Sequence, residues 1–227
     1  LSSEKDLKKL LHLVVSKSMR LACADGGTLY MLEPIQDKPS DPDNFLANKE
    51  LKLQVAIMKS RKVSPEHEIT ISNPSSSILG QSILQRKSIN IEDVYQIEPE
   101  YGVQWHGQEF DTLYDYRTKS VLTVPMFNHR YEAVGAIQLV NCKEEVDQIL
   151  ESKEMIEDTV QPFDESDAKA MESVASLASV ALAHAELFDS LQILFRSEDH
   201  TSELQSLVNL VCRLLLETSN HLALFSF

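Results

Sequence analysis

The amino-acid sequence predicts an α/β protein: a central antiparallel sheet with flanking helices and long N- and C-terminal helices. Three observations lead there. Apolar residues recur at helical intervals near the start of the chain and again over residues 162–195. Two β-forming runs, SVLTVPMF (120–127) and AVGAIQLVN (133–141), are joined by NHRYE, which suits a hairpin connection. Two further β-forming runs lie upstream, on either side of a proline-rich loop.

Each element has its own local reason. Residues 4–22 set Leu7, Leu10, Leu11, Val14, Val15 and Met19 at helical spacing, and ADGG (24–27) is expected to end that helix. TLYML (28–32) then reads as a short strand. EPIQDKPSDPDN follows as a loop whose three prolines prevent regular structure, and LKLQVAIMKS (51–60) alternates as a second strand. In SNPSSSILGQSILQRKS, Ser75–Ser77 offer an N-cap, and Ile78, Leu79, Ile83 and Leu84 an apolar face. INIEDVY (89–95) leads into an irregular region that runs to about residue 117. The last helix, PFDESDAKAMESVASLASVALAHAELFDSLQILF, is entered at Pro162 and Phe163 and capped by Asp164 or Ser166. Met171, Val174, Leu177 or Ala178, Ala181, Ala185, Phe188 and Leu191 run along one face, among small residues that admit a second helix. Helices are expected to cover one side of the sheet and the 90–117 region the other.

Composition narrows the function. A chain of 227 residues supports one good-sized domain plus flanking helices. Lys and Arg number 21 against 35 Asp and Glu, a net charge of −14, which repels phosphate backbones and anionic lipid. No apolar run approaches the ~18 residues of a membrane span, so nucleic acid and membrane insertion are both disfavoured. Cys23, Cys142 and Cys212 lack metal-ligand spacing and suit a reducing, cytoplasmic compartment. Gly26 and Gly27 lack the Lys-Ser/Thr of a phosphate loop. His12, His67, His106, His129 and His184 are scattered, and no nucleophilic triad forms around Cys23 or Cys142. The expectation is a regulatory chain without catalytic or metal-binding residues.

Four pieces, ACADGGTLYML, VLTVPMF, AVGAIQLVN and PFDESDAKAMESVASLASVALAHAEL, closely resemble the GAF domain in order and spacing, over about residues 4–192. The resemblance implies a PAS-related sheet with a small-molecule pocket on one face and dimerising, signalling helices on the other. Residues 1–192 would be the sensor domain and 193–195 the start of a linker to an output domain. Cyclic-nucleotide-binding relatives carry an Asn-Lys…Phe-x-x-x-Asp-Glu signature, whose positions fall here on Asn141, Cys142, Phe163, Asp167 and Ala168. The family's Lys–Asp ion pair cannot form from Cys142, and Lys143 next door is the available substitute. EFDTLYDYRTKSVL resembles a segment of bacterial GAF domains found ahead of HD-GYP phosphodiesterase or nucleotide cyclase domains. Phe110, Asp111, Tyr116, Arg117, Thr118 and Ser120 match it, while Thr112 and Asp115 depart from it.

Candidate pocket residues cluster around that segment. Thr118, Ser120 and Thr123 supply hydroxyls, and Tyr95, Trp105, Phe110 and Tyr116 can stack on a ring. Arg117 suits a phosphate or carboxylate, and Asp93 and Asp111 complete the set. The leading reading is a homodimeric sensor of a cyclic nucleotide or another small ligand, paired through its terminal helices and controlling a cyclic-di-GMP phosphodiesterase of the HD-GYP type. The alternatives are control of a nucleotide cyclase, or a ligand-free dimerisation scaffold.

The end of the chain reads differently. RSEDHTSELQS (196–206) is one base away from the translation of a common sequencing adapter, and NLVCRLLLE (209–217) matches the adapter's continuation. Residues 196–227 are therefore expected to be a translated artefact, with the natural sequence leading on from Phe195 to an output domain.

Overall fold

The computed structural model describes residues 2–195 apart from 40, 42–43, 63–68, 73 and 98–101. His67, Cys212 and the adapter reading of residues 196–227 lie outside the described residues. The chain divides into two units, Leu1–His184 and Ala185–Phe227, and the fold described below is that of the first.

Helix α1 (Ser2–Leu21) buries Leu11, Val15 and Met19, spaced four residues apart along one stripe. ADGG, expected to terminate it, instead belongs to strand β1 (Ala24–Pro34). The reason is tertiary. A Cβ at Gly27 would lie 2.9 Å from side-chain carbons of both Met19 and Val15, so the glycine lets α1 lie directly on the strand. The chain turns between helix and strand at Cys23, whose φ is +47°.

Strand β2 (Lys49–Met58) pairs antiparallel with β1, and β3 (Thr70–Ile71) pairs with β2. Leu29 faces Val55 and Tyr30 faces Leu53, which leaves Gln54 as the extra residue of a bulge. That single insertion reverses the side-chain alternation. Leu51 and Leu53 join Leu79 and Ile83 on one face, whereas Val55 and Ile57 join α1 on the other. A 3₁₀ turn (Pro74–Ser76) leads into α2 (Ile78–Gln85), where Ser77 Oγ accepts from Gly80 N at 3.0 Å as the sequence predicts. Ile78, Leu79 and Ile83 are buried, but Leu84 is exposed.

INIEDVY supplies the short strand β4 (Ile89–Ile91), and the region after it contains α3 (Gln108–Leu113). The hairpin β5 (Val121–Phe127) and β6 (Ala133–Cys142) forms as expected, and β6 also pairs with β1. Among the described residues, six strands lie in the order β3-β2-β1-β6-β5-β4, all neighbours antiparallel. Within the acidic stretch the sequence left unassigned, Ser152 caps α4 (Lys153–Thr159), accepting from Met155 N at 3.2 Å. Helix α5 (Glu165–Phe195) opens with a reciprocal cap, in which Asp167 N donates to Asp164 Oδ1 (2.7 Å) and Asp164 N to Asp167 Oδ2 (3.0 Å).

One core lies between α1, α5 and the sheet, joining Leu11, Val15 and Met19 to Leu122, Val124, Ile137, Leu139, Met171 and Leu182. On α5 it takes Met171, Ala175, Ala178 and Leu182, so of the two alternatives at 177/178 Ala178 faces inward and Leu177 is 51% exposed. Among the described residues, the opposite face of the sheet carries three smaller clusters, covered by α2, α3, α4, 93–97 and 102–118.

Gly135 tests the closeness of β1 and β6. Its Cβ would meet the carbonyl oxygen of Tyr30 at 2.0 Å, so Gly135→Ala must push two central strands apart. Chemical denaturation should show a loss of at least about 2 kcal/mol, the cost of forcing extra volume into packed structure.

Candidate functional site

The approach to β5, Tyr116-Arg117-Thr118-Lys119-Ser120, is held in place by two buried side chains. The first is Asn141, which adopts φ +57° near the end of β6. Its amide donates to Tyr116 Oη (2.7 Å) and to Arg117 O (2.9 Å), while its Oδ1 accepts from Lys119 N (2.7 Å). The second is Asp111 on α3, 4% exposed. It accepts from Thr118 N (2.9 Å), Thr118 Oγ1 (2.7 Å) and Tyr95 Oη (2.7 Å). Three hydrogen-bond donors offset the cost of burying this side chain.

Arg117 closes the arrangement from the outside. Its Nη2 bonds both oxygens of Asp93 (2.9 and 2.8 Å), and its Nε meets Glu157 of α4 at 2.7 Å. Its guanidinium carbon lies 4.2 Å from the centre of the Tyr95 ring, in stacking range. Asp93 also accepts from Tyr95 N and Gln96 Nε2, so one carboxylate organises the turn after β4. Burial, with help from Asp111, pushes Tyr95 up to about 12, although 44% of the residue remains exposed. The Trp105 indole opposes that shift, yet its buried Nε1 makes no full hydrogen bond among the described residues.

The predicted residues therefore fall into separate groups. Asp93, Tyr95, Asp111, Arg117 and Thr118 form one network. Tyr116 and Ser120 belong to the Asn141 region, where Ser120 Oγ accepts from Cys142 N at 3.1 Å. Thr123 points elsewhere, to Gln138 Nε2 at 2.9 Å. Phe110 packs tilted against Tyr114 and edge-to-face against Tyr116, with ring centres 4.6 and 6.4 Å away. Trp105 packs in the cluster around Val94 and Val121.

At the signature positions, Phe163 is buried against the main core and Ala168 packs beside it. Asp167 caps α5, and burial raises its carboxyl above the usual range. Cys142 is half-buried, and burial, then Asp167, push its thiol up to about 12. Lys143 does not replace the missing family lysine opposite Asp167. It points instead into a fully buried pocket, where Nζ meets Asp25 Oδ1 (3.2 Å) and the carbonyls of Gln148 (2.6 Å) and Val146 (3.2 Å).

Asp25 was missed by the sequence reading. Its Oδ1 also accepts from Ser60 Oγ (2.6 Å) and its Oδ2 from Tyr116 Oη (2.8 Å). Desolvation, then the charge and hydrogen bond of Asp25, drive the Tyr116 phenol far above its ordinary range. The one available signal was an acid between Ala24 and two glycines, in a stretch otherwise fit for a buried strand. A groove of about 710 Å³ beside β4 was likewise not foreseen; Asn90, Asp93, Gln96, Val103, Lys119 and Glu157 are among its lining residues. Asp93 alone of the predicted residues faces it.

Two outcomes follow from these partners. Asp25→Asn leaves Lys143 buried without its counter-charge and should cost about 3–5 kcal/mol in denaturant unfolding, with Lys143→Met in the same chain recovering part of the loss. Tyr30, raised to about 12 by burial, and Tyr95 keep protons in the fold that an unfolded chain releases near 10.0. Their stabilising contribution is complete below pH 10, and it is lost as the pH rises from 10 to 12. Denaturant unfolding at both ends of that window should show the fall, and Tyr95→Phe should reduce it.

A family model for the GAF domain matches residues 6–182. The chain is 23% identical over 193 residues to the dual 3',5'-cyclic-AMP and -GMP phosphodiesterase 11 of Drosophila melanogaster, covering 84% of this chain but 12% of that protein. Among solved structures it resembles the blue-light absorbing form of the PixJ GAF domain of Thermosynechococcus elongatus (TM-score 0.56, 13% identity, 88% of this chain and 98% of that one). It also resembles a GAF domain/HD domain protein of Geobacter sulfurreducens (TM-score 0.51, 14% identity, 80% and 95%).

Proposed function

Because the chain belongs to the GAF domain family, a regulatory domain of signalling proteins, we propose that it holds a small ligand beneath the 93–118 cover and relays binding through α5. The observation that carries this reading is a direct tie between the pocket edge and that helix. Asn90 Nδ2 of β4 donates to Phe163 O at 2.6 Å, and Ser88 Oγ to Glu172 Oε1 of α5 at 2.6 Å. β4 opens into the cover and borders the groove, so a ligand that moves the cover strains the root of α5. The relay works only if the ligand favours one arrangement over the other.

A cyclic nucleotide suits the cover chemically, with Arg117 for phosphate and Tyr95 or Trp105 for the base. The similarity to a dual cyclic-AMP and -GMP phosphodiesterase supports this choice. We take the attached output to be a cyclic-di-GMP phosphodiesterase of the HD-GYP type, driven by a homodimer in the cytoplasm. The chain itself regulates and does not catalyse.

One observation favours a second reading, a ligand-free dimerisation scaffold. Asp93, Asp111, Arg117 and Thr118 already satisfy one another, so a ligand must displace existing bonds. Trp105, the chain's only tryptophan, reports on the cover directly. Titration with cyclic AMP, cyclic GMP and cyclic di-GMP should give a saturable change in its fluorescence and a higher Tm with at least one of them. Flat responses to all three would leave the scaffold reading standing. With the active ligand, Glu172→Ala, which removes the Ser88 tie from outside the groove, should preserve binding while weakening its effect on α5.

A further inference from the structure

Among the described residues, β4 is an outermost strand of the sheet and is paired on one side. Ile89 lies opposite Thr123, Asn90 opposite Leu122 and Ile91 opposite Val121 of β5. Which of its backbone groups face outward follows from the next ladder. Asn141 N donates to Ser120 O at 2.8 Å, so even-numbered residues of β5 bond β6 and odd-numbered ones bond β4. Ile89 and Ile91 therefore use their N–H and C=O on Thr123 and Val121. Ser88, Asn90 and Glu92 direct theirs away from the sheet, where no backbone group of another described segment meets them.

The groove of about 710 Å³ runs along this edge and is lined by every residue from Lys87 to Asp93. Its two ends differ in charge. Exposed Lys87 stands at one end. At the other, the carboxylates of Glu92, Asp93 and Glu157 outnumber the cations Lys119 and Arg117, the latter bonded to Asp93 and Glu157. Between the ends, Ile89 and Ile91 are only partly buried against the cluster of Val94 and Val121.

We propose that this edge binds the same edge of a second copy, antiparallel about a two-fold axis at Asn90. The proposal takes from the reading above only that the chain is a homodimer, and it adds where the copies meet. A two-fold pair matches each residue with the one equally far beyond Asn90. Asn90 meets Asn90 and Ser88 meets Glu92, which joins the three residues whose backbone groups point outward. Each such pair exchanges both of its N–H···O bonds. Ile89 falls against Ile91 in both directions, removing from water the side chains that one copy leaves half covered. Lys87 falls opposite Asp93, so the basic end of each groove lies on the acidic end of the other. An in-register parallel pair would set like charges side by side along its whole length.

The test uses four full-length variants, followed by sedimentation and by non-reducing gels after mild oxidation. Asn90→Pro removes the outward N–H, whereas Asn90→Ala keeps it. Both lose the bond to Phe163, so their difference reports the edge alone. Asn90→Cys sets a thiol opposite its own copy, where a hydrogen-bonded pair holds its Cα atoms about 5.5 Å apart, within disulfide range. Glu92→Cys faces Ser88 and is the control. The expected result is a dimer for the unsubstituted chain and Asn90→Ala, and a folded monomer for Asn90→Pro. Asn90→Cys should give disulfide-linked dimer several-fold above the unsubstituted chain, and Glu92→Cys should not. Where Asn90→Pro fails to fold by circular dichroism, or Asn90→Ala also dissociates, the two cysteine variants decide. A folded Asn90→Pro dimer, or cross-linking that fails at residue 90 or is as strong at residue 92, overturns the edge pairing and leaves the homodimer reading intact. A monomeric unsubstituted chain overturns both and leaves β4 open to a foreign strand.

Discussion

The Asp25 carboxylate is the point on which the far end of the sheet depends. It stands fully buried at the start of β1 and receives Ser60 from the end of β2, Tyr116 from the lead into β5, and Lys143 from just beyond β6. Four segments distant in sequence therefore meet at one anion. A lone buried charge would be prohibitively costly, but here each oxygen has its donors and Lys143 supplies the opposite charge. Lys143 in turn holds the carbonyls of Val146 and Gln148, and Arg61 holds those of Leu150 and Glu151, so the loop leading to α4 is fastened by cations to its backbone.

Built outward from that anion, the 93–118 segment becomes understandable. Asn141 grips Tyr116, Arg117 and Lys119, Asp111 grips Thr118 and Tyr95, and Arg117 grips Asp93 and Glu157. The turn at 93–96 and the stretch 114–120 are thus fixed by side chains that replace the hydrogen bonds a strand or helix would have supplied. The Asn and the Asp of the family resemblance earn their places as backbone organisers, and the hydroxyls that look free in sequence are spoken for.

Helix α5 is two-sided. Its inner row packs on the sheet while Leu177 and Val180 stand exposed; Ser88, just before β4, bonds Glu172 on its first turns, and Asn90 of β4 bonds Phe163 just ahead of it. The Cys at 142 fits the same design: with no lysine to face Asp167, the aspartate serves as a helix cap, and Lys143 is spent on Asp25.

Much was legible in the residues alone. Helical and strand periodicity found α1, α2, β2, β5, β6 and α5, because those segments carry their burial pattern locally, and Ser77 announced its cap. The resemblance to a known domain rested on the same ordered pieces. Only the tertiary structure decided where local signals conflicted with distant partners. Asp25-Gly26-Gly27 looks like a helix stop, and becomes strand because α1 must lie on Gly27 and because Lys143, Ser60 and Tyr116 arrive to satisfy the acid. The Gln54 bulge, the turn of Lys143 away from Asp167, and the mutual satisfaction of Asp93, Arg117, Asp111 and Thr118 were likewise invisible. Each depends on groups tens of residues apart, whose meeting no periodicity records, because a polar side chain reveals its role only when its partner is in place.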